Sequence, residues 1–170
     1  MLIVLTIIIS YITTLLFGYG FHWALHQTWM KEAHQAHMTH HQRLYPAHDY
    51  VSSTYRHAGK DAAPKFFIIA ALPLVILPLI LYFLGLISCY LVLIIWSVQI
   101  LTGLAHNYLH DAFHIKNHWL GKIPVIYTIY RKWSYLHYLH HVNMQINYGI
   151  FSFWADKLFG TFRDHRRKNK

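Results

Sequence analysis

Sixteen of the 170 residues are histidine, and ten of them fall into four short motifs. His22 and His26 form HxxxH, and His37, His40 and His41 form HxxHH. His106 and His110 form a second HxxxH, and His137, His140 and His141 a second HxxHH. On a helix, residues three and four apart share a face, so each motif presents two or three imidazoles together. Neutral imidazole is the commonest side-chain metal ligand. Ten such nitrogens exceed what one ion takes and suit two ions with about five each; iron, zinc, copper and nickel all accept imidazole. His114 is a further candidate ligand. With His118 it continues the spacing from His110, and both, like His34, read as partners of the ligands or as solvated residues of a helical face. His48, His57 and His165 read as polar anchors.

The rest of the metal-binding inventory is thin. Glutamate occurs once, at Glu32, with no Glu-x-x-His motif, which excludes a carboxylate-bridged di-iron bundle. The single Cys89 gives neither a disulfide nor a cysteine metal site. Any metal site here is built from histidine.

The elements that must position these motifs are apolar. The chain is 55% hydrophobic and 12% charged, about half the charged fraction of an ordinary soluble domain, and its mean hydropathy is +0.26. No Asp, Glu, Lys or Arg occurs over 1–30 or over 66–110. The first blank fits one spanning helix; no basic residue precedes its apolar run and no small-residue cleavage pattern follows, so a cleaved leader is not expected. The second, as one helix, would be about 67 Å long, twice the bilayer core, and must fold back near Gly85 and Ser88. That predicts spans over 66–84 and 89–108, the first interrupted by Pro73 and Pro78. With the N-terminus outside, segments 31–65 and 111–170 lie on one side, and all fifteen Lys and Arg lie there too, as cytoplasmic segments require. Segment 119–130 is too short to span and is expected to be interfacial or re-entrant. The reading is all-α: a single domain over 1–170, an integral membrane bundle of about three spanning helices plus that segment and a cytoplasmic histidine-rich cap. The net charge of +9 then belongs to a membrane-facing basic side, not to a nucleic-acid site.

HYLHHVNMQINYGIFSFWADKLFGT at 137–161 resembles the last histidine box and the Asn-Tyr-Gly and Phe-Gly-Thr signature of the fatty acid hydroxylase/sterol desaturase superfamily, and HNYLHD at 106–111 resembles its third box. HDAFH at 110–114 is similar to a box of the beta-carotene hydroxylases. Ala155 separates Trp154 from Asp156 where the family has Trp-Asp adjacent, and Asp111 stands where several relatives carry a further histidine, whose place His114 could take. The resemblance implies two iron ions held by His22, His26, His37, His40, His41, His106, His110, His137, His140 and His141, with zinc a substitute in purified protein. Asp111 and Asn147 are the candidates for groups that orient the imidazoles. It further implies O2 as co-substrate and hydroxylation of a C–H bond in a fatty acyl, sterol-like or carotenoid lipid. Electrons would come from a separate ferredoxin, cytochrome or reductase on the basic face near Arg131 and Lys132, since no dinucleotide-binding fingerprint is present. Two alternatives stay open: a lipid desaturase of the same superfamily, and a non-enzymatic membrane metal carrier. A carrier should place histidine or charge at midspan, where the sequence has none.

Overall fold

The computed structural model describes residues 1–56 and 64–164. His57 and His165 lie outside the described residues. Among those described, the chain is all-helical, with one isolated bridge between Ser52 and Ile115. The α-helices are α1 Leu2–Leu25, α2 Glu32–Thr39, α3 Pro64–Phe83, α4 Cys89–Phe113, α5 Pro124–Val142 and α6 Trp154–Leu158.

Helices α1 and α4 are long and apolar enough to cross a membrane, at 24 and 25 residues. Each is about 36 Å long, a little more than a bilayer core. Leu2, Val4, Ile8 and Ile12 on α1, and Leu93, Ile100, Leu101 and Leu104 on α4, turn outward. Helices with apolar residues on every side need apolar surroundings. Helix α3 has 20 residues, holds Pro73 and Pro78, and is apolar through Ile69–Phe83. It ends in a Schellman turn: the Gly85 amide donates to the Tyr82 carbonyl (2.9 Å) and the Leu86 amide to the Leu81 carbonyl (2.9 Å). Gly85 takes a φ of +70° there, which glycine adopts without strain. Ser88 then caps α4, its hydroxyl accepting from the Leu91 amide.

Helix α1 packs along α4, and α3 packs against α4 as well. The α1 face toward α4 is small: Ser10 and Thr14 are buried, the Thr14 hydroxyl donating to the Ser10 carbonyl, and Gly18 lies against His106. Small residues four apart let two backbones approach closely. That stripe ends in His22. Its ring and that of His110 both lie against His137, so both helices deliver histidine at one level.

Two expectations change. Helix α4 runs to Phe113, not to 108, because it continues beyond the apolar blank into a packed cluster of Ala112, Phe113, Leu120 and Tyr130. Residues 119–130, expected to be one interfacial or re-entrant piece, are not a separate element. They form a 3-10 turn, Trp119–Lys122, and the first turns of α5, opened by Pro124 at its first position. The Tyr130 hydroxyl donates to the Ala112 carbonyl (2.7 Å), fixing α5, which carries the second HxxHH, against the end of α4.

Candidate metal centre

Nine histidines form two adjoining groups. His22, His26, His37, His41 and His140 make the first, and His40, His114, His137 and His141 the second; within each, one nitrogen per ring lies within 4.8 Å of all the others. The groups touch where the ring of His41 stacks on that of His141, centroids 4.0 Å apart.

The two HxxHH motifs interlock. The first sends His37 and His41 to one group and His40 to the other; the second sends His140 to the first and His137 and His141 to the second. This split follows from helix geometry. Positions i and i+4 lie on one line along the axis while i+3 leans to its side, so two such motifs face to face fill two sites reciprocally. The first motif ends in a π-helical turn, His40–Leu44, a local widening that often marks functional sites.

Backbone carbonyls fix the tautomers. The Nδ1–H of His22 donates to the Tyr148 carbonyl (2.6 Å), that of His114 to Tyr50 (3.0 Å), that of His140 to Ile146 (2.6 Å) and that of His141 to Tyr45 (2.8 Å). A carbonyl can only accept, so Nδ1 carries the proton and Nε2 presents a lone pair. The Nε2 atoms of His22, His40 and His141 are buried without a hydrogen-bond partner. Leaving such atoms unpaired is costly. The other Nε2 atoms of the two groups crowd one another. The Nε2 of His26 lies 3.0 Å from those of both His140 and His37, and the Nε2 of His41 lies 3.1 Å from that of His37. Across the second group, the Nε2 atoms of His114 and His137 are 3.3 Å apart. With Nε2 of His140 a lone pair, a proton on His26 Nε2 could serve that contact but not also accept from His37. A cation in each group satisfies all of them. Two nitrogens bound at about 2.1 Å lie about 3.0 Å apart at a right angle and about 3.4 Å apart at the tetrahedral angle. The donor sets fit two transition-metal ions.

Electrostatics agree. Burial, reinforced by neighbouring imidazoles, pushes His37, His40, His114, His137 and His140 well below the ordinary imidazole range. His26 is lowered to about 4 and His141 to about 3, again chiefly by burial. Neutral rings are the form that binds metal.

Of the ten expected ligands, eight lie in the two groups; His106 and His110 do not, and His114 does. His106 remains inside α4 beside Gly18 and Phe151, one turn short of the centre, because α4 extends further than its apolar blank. His110 borders the second group, its ring 4.8 Å from that of His40 and 4.9 Å from that of His137. Of the evenly spaced His106, His110 and His114, only His114 therefore enters the centre, with His110 at its border, which favours the HDAFH frame. Asp111 approaches His110 Nδ1 at 3.3 Å and also bonds the Tyr55 hydroxyl. Asn147 orients no imidazole. Its amide donates to the carbonyls of Leu136 and Arg163 and accepts from the Arg163 amide, clamping residues 161–163 onto α5. His34 Nδ1–H donates to the Leu25 carbonyl at the end of α1, His118 caps the turn at Trp119–Lys122, and His48 is exposed.

Several groups that hold the centre act through the backbone or at one remove from the histidines. Tyr45 is fully buried, stacked on His114 at 4.0 Å, and its carbonyl carries His141. Tyr50 is placed by two backbone hydrogen bonds, from Ser52 to the His114 carbonyl and from Lys116 to the Ser52 carbonyl. Asp156 is fully buried and accepts from the Tyr148 amide (2.7 Å), the Gly149 amide (2.9 Å) and the Thr161 hydroxyl (2.8 Å). Burial pushes its carboxyl above the ordinary range, against those hydrogen bonds. It thereby sets the Tyr148 peptide whose carbonyl orients His22. No protein-family model, curated protein or solved structure matches the chain.

Proposed function

We propose that the chain is a membrane-embedded di-iron oxygenase that hydroxylates a C–H bond of a lipid. The observation that carries this reading is the pair of adjoining, carboxylate-free histidine groups, in contact through His41 and His141. Two redox-active ions so close, when bound, supply the joint reduction of O2 that an unactivated C–H bond demands. The chain's own contribution is orientation. Carbonyls of Tyr45, Tyr50, Ile146 and Tyr148 hold four rings with Nε2 inward, and burial keeps the imidazoles neutral at physiological pH. Tyr45, Tyr50 and Phe113 wall the second group with buried aromatic surface and exclude water.

In this reading α1, α3 and α4 all span, the N-terminus lies outside, and the histidine centre faces the cytoplasm with the Lys- and Arg-bearing segments. An external one-electron donor docks on that side. Metal-free protein reconstituted anaerobically with Fe(II), then given a reductant, labelled O2 and a lipid extract, tests the activity. The expected product carries one labelled oxygen. A new double bond without label would identify a desaturase; label arriving from water, or turnover with zinc alone, would refute oxygenase chemistry.

A further inference from the structure

An open groove of about 380 Å³ lies between α5 and the 151–162 segment, away from the histidine groups. Its walls are apolar and aromatic: Ile129, Trp133 and Leu136 from α5, facing Phe151 and Trp154. Two lysines, Lys132 and Lys157, also line it. Neither pairs with a carboxylate among the described residues. Asp156, the neighbour of Lys157, points inward to the Tyr148 and Gly149 amides. The Lys157 ammonium lies 5.2 Å from the Phe162 ring, its stem along the wall. Arg131 leaves the groove, its guanidinium bonding the Tyr127 hydroxyl one turn back.

The groove has a depth as well as a charge. The Phe151 ring touches Trp133 on one side and Tyr11 of α1 on the other, at centroid distances of 6.1 and 6.4 Å. Tyr11 lies 14 residues before the end of α1, about 21 Å along the helix axis. At Phe151 the groove therefore reaches the level of the middle of an apolar helix, and its lining also carries two cations. A site of that polarity fits an amphiphile with an anionic head and a hydrocarbon tail.

We propose that this groove seats an anionic phospholipid of the surrounding bilayer, with its phosphate on Lys132 and Lys157 and an acyl chain along Trp133, Leu136 and Phe151. The assignment rests on the membrane embedding of α1 and α4 but not on the identity or chemistry of the metals. Lysine at a membrane surface favours an anionic headgroup about fivefold per residue, hence roughly 25-fold for the pair.

Native mass spectrometry of the full chain in detergent, with equimolar phosphatidylglycerol and phosphatidylcholine of matched chains, reads the preference directly. Phosphatidylglycerol should be retained at least about tenfold over phosphatidylcholine. The K132Q/K157Q variant should bring the ratio close to one, while K116Q/K122Q, at exposed lysines outside the groove, should leave it unchanged. Tail-brominated phosphatidylglycerol should quench tryptophan fluorescence more than brominated phosphatidylcholine does, and Trp133→Phe should remove much of the difference; this arm needs no lysine variant. Resistance to carbonate extraction and metal content, measured on the same K132Q/K157Q protein, should match wild type, so failure of the membrane reading registers separately. Equal retention of the two lipids by wild type, or an unchanged ratio in K132Q/K157Q, would overturn the proposal. So would binding of free oleate in place of phosphatidylglycerol, or a K132Q/K157Q defect confined to reduction by a protein donor.

Discussion

Replacing Asp156 by Asn should weaken one histidine group and spare the other. In the wild type, one carboxylate oxygen accepts from the Tyr148 amide and the Thr161 hydroxyl and the other from the Gly149 amide. An Asn side chain can place its oxygen on the first pair, but its NH2 then faces the Gly149 N–H at 2.9 Å, donor against donor. One charge-assisted hydrogen bond is lost and one buried amide is left unpaired, a destabilisation of about 2–4 kcal/mol. The strained Tyr148 peptide is the one whose carbonyl holds His22 Nδ1 at 2.6 Å. Loss of a partner that orients a ligand typically lowers metal affinity 10–100-fold. The second group takes its orienting carbonyls from Tyr45 and Tyr50, which Asp156 does not touch. Competition against a chromophoric chelator should therefore show one metal bound 10–100-fold more weakly in D156N and the other nearly unchanged. Parallel loss of both metals, or two wild-type affinities in a less stable protein, would refute the link through Tyr148.

His114→Ala should remove one bound metal per chain, whereas His106→Ala should keep both; elemental analysis of the two proteins decides between the HDAFH frame and the one a turn earlier. Gly149→Ala should lower the yield of folded protein, since a Cβ there collides with the Ser152 carbonyl and lies 2.8 Å from Asp156 Oδ2; overpacking of this kind costs about 1–3 kcal/mol, and a variant as thermostable as wild type would contradict the packing. Acid should destabilise the metal-free protein. In the unfolded chain imidazoles take up protons near 6.5, but folded His26 does so only at about 4 and His141 at about 3, so the unfolded state binds more protons in between and stability falls as pH drops from about 6.5 toward 4. Thermal melts at pH 7.5 and pH 5 check the sign, and a higher melting temperature at the lower pH would contradict it.

The sequence is informative where side-chain chemistry is periodic. Apolar blanks locate α1 and α4, because an uncharged run of membrane length has few other uses. Helical spacing identifies the interlocking HxxHH motifs, because shared faces follow from 3.6 residues per turn. The frame of the third motif is not decided that way. His106, His110 and His114 have equal spacing, and the choice depends on how far α4 continues past its apolar run, which the packing of Ala112 and Phe113 beneath Tyr130 sets. The orienting groups are the least legible. Four are backbone carbonyls, which every residue carries, and what selects them is the path of the 45–56 and 143–150 segments. Asn147 and Asp156 stand in the signature region, yet neither touches a ligand: one clamps the 161–163 segment, the other holds the Tyr148 peptide.

The central claim is two adjoining metal positions built from histidine alone. Mössbauer spectroscopy of protein reconstituted with iron-57, alongside protein and metal quantification, tests it most directly. Two irons per chain are expected, both in nitrogen-rich environments, as the two all-histidine groups require. One iron per chain, or two in oxygen-rich environments, would contradict the account.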